Sequence, residues 1–130
     1  MTQSPPRVLV IDDDQWFAEL QLAAVRRAGA RPIYAADVLA GMAALDEALP
    51  VVIILDMFMP GGNGLVLLHE LQSYSDTARI PIIICSNDAS DMTLADLAPY
   101  GVVALLDKTT MHPSDVTNVL GRYIPSEVVT

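Results

Sequence analysis

Four polar points interrupt otherwise apolar stretches of this chain: Asp12-Asp13-Asp14, Asp56, Ser86 and Lys108. Each follows a short run rich in β-branched or aliphatic residues: Val8 to Ile11, Val51 to Leu55, Pro81 to Cys85 and Val102 to Leu106. Runs that are apolar throughout, without period-two alternation, are what strands buried on both faces look like. In an open α/β sheet the carboxyl ends of parallel strands share one rim, and ligands bind there. Groups far apart in sequence are therefore expected to converge. Two unit charges about 4 Å apart interact by roughly 4 kcal/mol at an effective dielectric of 20. Asp12, Asp13 and Asp56 on one rim would repel one another by several such amounts. Either some of them protonate or a cation sits among them. Carboxylates, water and a backbone carbonyl suit a hard octahedral cation such as Mg²⁺, with Mn²⁺ as the alternative. Such a cation would let an anionic phosphoryl group approach an anionic nucleophile. Lys108 supplies a second positive charge and Ser86 a hydroxyl. The set fits a carboxylate nucleophile that forms an acyl phosphate.

The elements that must position these groups alternate along the chain. Phe17, Leu20, Ala24, Val25 and Ala28 recur at helical spacing after Asp14, a natural helix cap, and Gly29 ends that helix. Arg31 to Ala35 reads as a second strand. Asp37 caps a helix running to about Ala48, with Leu39, Met42, Ala43 and Leu45 expected inward and Gly41 weakening it slightly. Pro60-Gly61-Gly62-Asn63-Gly64 is loop chemistry, and Leu65 to Tyr74 a third helix. Ser90 or Asp91 is expected to cap a short fourth helix that stops before Pro99. Ser114 or Asp115 starts a last helix reaching about Tyr123. Five strands alternating with five helices predict an α/β fold with a parallel sheet covered on both faces.

The chain has 130 residues, the size of one domain. One domain is expected over residues 8–124, between an N-terminal segment 1–7 and a C-terminal tail or truncated linker 125–130. The formal charge is −9, and the seven basic residues form no patch in sequence, which argues against direct nucleic-acid binding by this chain. No apolar run has the roughly 18 residues of a membrane span, and the polar, Ser/Pro-containing start lacks the apolar middle of a signal peptide. A cytoplasmic protein that does not enter the membrane is the expectation. The single Cys85 is expected to be a buried inert thiol. Trp16, His69 and His112 are expected at the surface, without metal-ligand spacing.

Val8-Leu-Val-Ile-Asp-Asp-Asp14, Ile54-Leu-Asp-Met-Phe-Met-Pro60 with Gly64, Pro81-Ile-Ile-Ile-Cys-Ser86 and Lys108 run in the order and spacing of one family. The chain resembles a response-regulator receiver domain of two-component signalling over nearly its whole length. The resemblance implies a flavodoxin-like (βα)5 doubly wound fold with strand order 2-1-3-4-5, an order carried over from members of that family. It implies that Asp56 accepts a phosphoryl group from a sensor histidine kinase or phosphotransfer protein. Asp13 and Asp56 would hold Mg²⁺ directly, Asp12 through water, and Phe58 through its backbone carbonyl. Ser86 would act as the switch hydroxyl and Lys108 would contact the phosphoryl group. The consequence would be a population shift on the face built from the fourth helix, fifth strand and fifth helix. The receiver of that shift would be a downstream protein or a C-terminal effector domain outside these residues. The resemblance implies a phosphoacceptor module, not a turnover enzyme.

Four departures qualify the likeness. Leu105 stands where the family usually has an aromatic switch residue. Thr109 follows the lysine in place of proline, so a trans bond is expected there, since a non-proline cis bond costs roughly 3–4 kcal/mol. Asn87 replaces a small residue. Asp91 and Asp96 have no obvious basic partners, which argues against a charge-paired dimer and leaves the oligomeric state open. Leu105, Thr109 and Asn87 motivate the alternative of a degenerate receiver acting as a phosphorylation-independent binding module. A haloacid-dehalogenase-type phosphohydrolase would want a second Asp where Phe58 stands. A flavodoxin would want Ser, Thr and Gly donors where the three aspartates stand.

Overall fold

A computed structural model describes residues 4–59, 62–87 and 92–124 of the chain. Five strands form one parallel sheet: β1 (Arg7–Ile11), β2 (Arg31–Ala35), β3 (Val52–Leu55), β4 (Ile82–Ser86) and β5 (Val102–Asp107). Their order across the sheet is β2-β1-β3-β4-β5, the flavodoxin-like arrangement. The helices are α1 (Gln15–Arg27), α2 (Val38–Glu47), α3 (Gly64–Gln72), α4 (Leu94–Leu97) and α5 (Pro113–Leu120). A two-residue antiparallel ribbon, Phe58–Met59 against Gly62–Asn63, lies between β3 and α3, where the sequence suggested only a loop.

Alternating side chains sort onto two faces, because successive strand residues point to opposite sides. Leu9, Ile11, Ile53, Leu55, Ile82 and Ile84 pack with Leu45 of α2, Leu67, Leu68 and Leu71 of α3, and Leu97 of α4. Val8, Val10, Val52, Ile54, Ile83 and Cys85 pack with Leu22 and Val25 of α1 and Val116 and Leu120 of α5. A fully buried Val, Leu or Ile side chain contributes about 1.5–3 kcal/mol relative to exposure. The central strands β1, β3 and β4 collect that contribution on both faces, which explains why they read as unbroken apolar runs.

The helix phases differ from those expected. In α1 the buried set is Ala18, Gln21, Leu22, Ala24 and Val25, while Leu20 is 38% exposed. In α2 Gly41 and Leu45 face inward, whereas Leu39 is 81% exposed and Ala43 is also outside. Gly41 explains the shift. A Cβ on it would lie 2.6 Å from Ile11 Cδ1, so the helix approaches β1 along its smallest residue and turns Leu39 and Ala43 outward. At the termini, Asp14 and Asp37 are the expected caps, accepting from Phe17 N at 3.1 Å and Ala40 N at 2.7 Å. The described α4 is capped by Thr93, while Ser90 and Asp91 lie outside the described residues, as do Pro60, Gly61 and the tail 125–130. Helix α5 begins one residue before Ser114, with Pro113 at its first position, where a missing N–H costs nothing, and ends at Leu120. Arg7, expected in the N-terminal segment, already pairs with Arg31.

Candidate functional site

The carboxyl ends of β1, β3, β4 and β5 bring the four polar points together. Backbone bonds fix the convergence: Asp12 N donates to Ala35 O, Asp56 N to Ile11 O, and Lys108 N to Ser86 O, at 3.0–3.1 Å. Each strand end is thus tied to its neighbour. One carboxylate oxygen from each of Asp12, Asp13 and Asp56 lies within 4.8 Å of the others. Asp12 and Asp56 are buried, and Asp13 is exposed at the mouth.

Lys108 is the only lysine in the chain. Its Nζ lies 2.7 Å from Asp12 Oδ2 and 3.2 Å from Asp56 Oδ2, with side-chain exposures of 2%, 1% and 6% for Lys108, Asp12 and Asp56. The contact to Asp12 is a close charge pairing without hydrogen-bond alignment, so Asp12 Oδ2 has no aligned donor among the described residues. Asp12 Oδ1 accepts from Asp14 N at 2.9 Å. The Asp56 carboxylate is more fully served. Its Oδ1 accepts from Phe58 N at 3.1 Å and from Ser86 Oγ at 3.3 Å, and its Oδ2 accepts from Lys108 at 3.2 Å.

Burial raises the Asp12 pKa above the ordinary 3.8, outweighing the lowering by Lys108 and the Asp14 N–H. Burial also pulls on Lys108, but the adjoining Asp12 and Asp56 outweigh it and the ammonium titrates above its ordinary 10.5. The cluster therefore holds an excess of negative charge around one firmly charged ammonium, and Asp12 is a carboxylate that burial pushes toward its neutral form.

Side chains the sequence did not flag complete the site. The Tyr34 hydroxyl donates to Asp12 O at 2.7 Å. The strand order places β2 beside β1, so an aromatic hydroxyl near the end of β2 was within reach of the rim. Lys108 Nζ sits 4.7 Å from the centroid of the Phe17 ring, a cation–π contact that roofs the ammonium from the α1 side. After Lys108, Thr109 N and Oγ1 both donate to Asp107 Oδ1, at 2.8 and 2.6 Å. These bonds hold the Asp107 carboxyl below its ordinary pKa. Proline at position 109, with neither N–H nor hydroxyl, could make neither of them. The bond preceding Thr109 is trans, as are all peptide bonds among the described residues. Leu105 packs against the core cluster beneath α3 and α4, and Asn87 is exposed. Trp16 is 72% exposed, and His69 meets Tyr100 edge-on at 4.9 Å between ring centroids.

The family profile described as "Response regulator receiver domain" matches residues 8–120. Among curated proteins, the chain is 30% identical over 129 residues to protein-glutamate methylesterase/protein-glutamine glutaminase 5 of Myxococcus xanthus, covering 98% of this chain and 37% of that protein. The chain spans 34–41% of the length of the first curated relatives it matches. Among solved structures, the chemotaxis protein CheY4 of Vibrio cholerae superposes with a TM-score of 0.81 at 23% identity, covering 93% of this chain and all (100%) of that one. The receiver domain of sensor histidine kinase PA1611 from Pseudomonas aeruginosa, with a magnesium ion coordinated in its active site cleft, gives a TM-score of 0.80 at 20% identity, covering 95% of this chain and 100% of the other. At these identities the structural likeness establishes the fold. Among the described residues, no helix is long and apolar enough to cross a membrane.

Proposed function

The chain belongs to the response-regulator receiver family of two-component signalling, and from that premise we propose that it accepts a phosphoryl group on Asp56 with the help of a divalent cation. The observation that carries this reading is the placement of Asp56 between three donors and two further carboxylates. A nucleophilic oxygen, a hydroxyl, an ammonium and a cation-binding set share one rim.

The residues fit a hard cation. Three carboxylates within 4.8 Å, one of them carrying an oxygen without an aligned donor, are an oxygen-only set short of positive charge. Asp13 and Asp56 would bind Mg²⁺ or Mn²⁺ directly, Asp12 through water, and Phe58 by its backbone carbonyl. When bound, the cation supplies charge neutralisation and holds a phosphoryl oxygen close to the nucleophile. The remaining work falls to the chain itself. One Asp56 oxygen attacks the phosphorus of a phosphohistidine, the P–N bond breaks, and the imidazole nitrogen keeps the electron pair. Both Asp56 oxygens carry donors before transfer, so Lys108 must release Oδ2 and follow the new phosphoryl oxygens, while Ser86 Oγ swings from Oδ1 to the same group. The donor would be a sensor histidine kinase or phosphotransfer protein, and the recipient of the switched state a downstream protein or effector domain.

Leu105, already packed inward, and the Asp107–Thr109 turn favour a second reading, a binding module that does not use phosphorylation. Incubation with Mg²⁺ and a small phosphodonor, followed by intact mass measurement, separates the two. The proposed reading expects addition of one phosphoryl group, lost in Asp56→Asn and in excess chelator. No addition, where the same donor labels a control receiver, leaves the binding module. Undiminished labelling of Asp56→Asn would move the acceptor elsewhere.

A further inference from the structure

Helix α2 is a surface helix written like a buried one. Its first eight residues, Val38 to Leu45, contain no polar side chain, and only Asp46 and Glu47 are charged. A helix apolar all round is normally covered on every side. Here Leu39 is 81% exposed, and Ala40 and Ala43 are also outside. Leu39, Met42 and Asp46 follow at three- to four-residue spacing and form one stripe, and Leu49, in the extended segment just past the helix, lines the groove beyond its end. Across from it, Glu70 of α3 and Tyr74, past the end of that helix and 58% exposed, form the facing stripe.

Between the two stripes lies a groove of about 230 Å³. Met42, Leu45 and Leu71 floor it, and Asp46, Glu70 and Asp76 are the charged groups that line it. The groove lies at the carboxyl ends of α2 and α3. Both helices run back from the rim where the parallel strands end, so the groove lies toward the opposite edge of the sheet from Asp56.

We propose that the outer face of α2 and the α2–α3 groove form a docking surface for a basic amphipathic segment of a partner protein, with an apolar side chain seated between Met42 and Leu71 and lysine or arginine against the three carboxylates. Charge decides among occupants. A second copy related by a two-fold axis would bring the same acidic rim against itself, in a chain of net charge −9. A partner with basic flanks and apolar anchors satisfies both the uncovered leucine and the unpaired sign, the helix-in-groove mode of recognition.

The test uses the whole ¹⁵N-labelled chain and two synthetic peptides. Both carry leucines at helical spacing; one has lysine and arginine on its flanks, the other glutamate. The expected result is saturable amide shifts confined to α2, α3 and the Tyr74–Thr77 segment with the basic peptide alone. Binding should weaken about tenfold or more in Asp46→Lys/Glu70→Lys and, separately, in Leu39→Ser. All three positions are exposed, so the variants should retain the fold. Equal binding of the glutamate peptide, shifts centred elsewhere, or no shift at millimolar peptide would overturn the proposal. Concentration-dependent shifts on this face without any peptide would overturn it in favour of self-association.

Discussion

Replacing Lys108 by methionine tests whether the ammonium is what lets three acids share one rim. At an effective dielectric of about 20, its 2.7 Å contact with Asp12 corresponds to about 6 kcal/mol of gross attraction and its 3.2 Å contact with Asp56 to about 5. Those figures are offset by several kcal/mol of lost hydration for each buried ion. The variant, however, does not recover the carboxylates' hydration, because Asp12 and Asp56 stay buried. Removing one partner of a buried pair costs about 3–5 kcal/mol. Relief comes from Asp12, which burial already pushes toward protonation, so the lower end, about 3 kcal/mol, is expected. For a domain of this size that corresponds to a fall in Tm of about 10 °C.

The pH dependence follows from Asp12. Its folded pKa lies above its unfolded value, so its contribution is most favourable below about pH 4 and is lost as pH rises through the folded pKa. The deficit of Lys108→Met should therefore grow from acid toward neutral pH. Saturating Mg²⁺ should shrink it, because a cation bound among the carboxylates replaces the missing charge, and Mg²⁺ should bind the variant more tightly than the parent. Urea denaturation followed by circular dichroism, with chelator and with Mg²⁺, reads both effects. In the parent, the one lysine gives one side-chain ammonium resonance, which should shift as Mg²⁺ is added. A variant as stable as the parent in chelator at neutral pH would refute the charge argument. A deficit that Mg²⁺ leaves unchanged would refute the competition.

Three further outcomes are expected. Burial pushes the Cys85 thiol up to about 12 from 9.0, so the folded chain resists ionising it while the unfolded chain does not. Between pH 9 and 12 this should remove about 1.4 kcal/mol of stability per pH unit, a slope absent in Cys85→Ala; parallel slopes in denaturation would refute it. Gln21 is buried with neither carboxamide atom hydrogen-bonded among the described residues, beside an apolar cavity of about 40 Å³ lined by Phe17, Leu20 and Met111. Gln21→Met should raise stability by about 1 kcal/mol, seen as a higher denaturation midpoint, and a lower midpoint would show that the carboxamide has a use in the fold. A Cβ on Gly64 would lie 2.8 Å from Met57 Cα, next to Asp56, so Gly64→Ala should cost about 1–3 kcal/mol and slow the proposed labelling of Asp56; an unchanged midpoint would mean the loop yields freely.

The sheet was legible because Val8–Ile11, Val52–Leu55 and Ile82–Cys85 are buried on both faces and must be apolar. The rim was legible for the complementary reason: a carboxylate at the end of such a strand has no core to join. What the sequence hid was phase and partnership. The stripe Phe17, Leu20, Ala24 looked inward by composition, but Ala18 and Gln21 are inside and Leu20 is not. Hydrophobicity cannot signal a buried glutamine. In α2 the nearly uniform apolar composition carries no phase, and Gly41, read as a weak helix former, is the residue that sets it. Tyr34 and Phe17 were missed at the site because their roles depend on which strand and helix lie beside β1 and Lys108.

Lys108 is asked to neutralise more than it can. It is the single lysine of the chain, its backbone is pinned by the bond from its N–H to Ser86 O, and its ammonium is divided between two aspartates beneath a phenyl ring. Because the backbone is fixed, only the ammonium can travel when a third anion arrives. A phosphoryl group on Asp56 would add negative charge within reach of the same Nζ and draw it from Asp12, the carboxylate to which it is nearest but poorly aligned. Asp12 would then need either a proton or a metal ion. The cation proposed for Asp13 and Asp56 would thus serve twice: once to admit the phosphoryl group, and again, wherever Asp12 keeps its charge, to compensate the aspartate that Lys108 leaves behind.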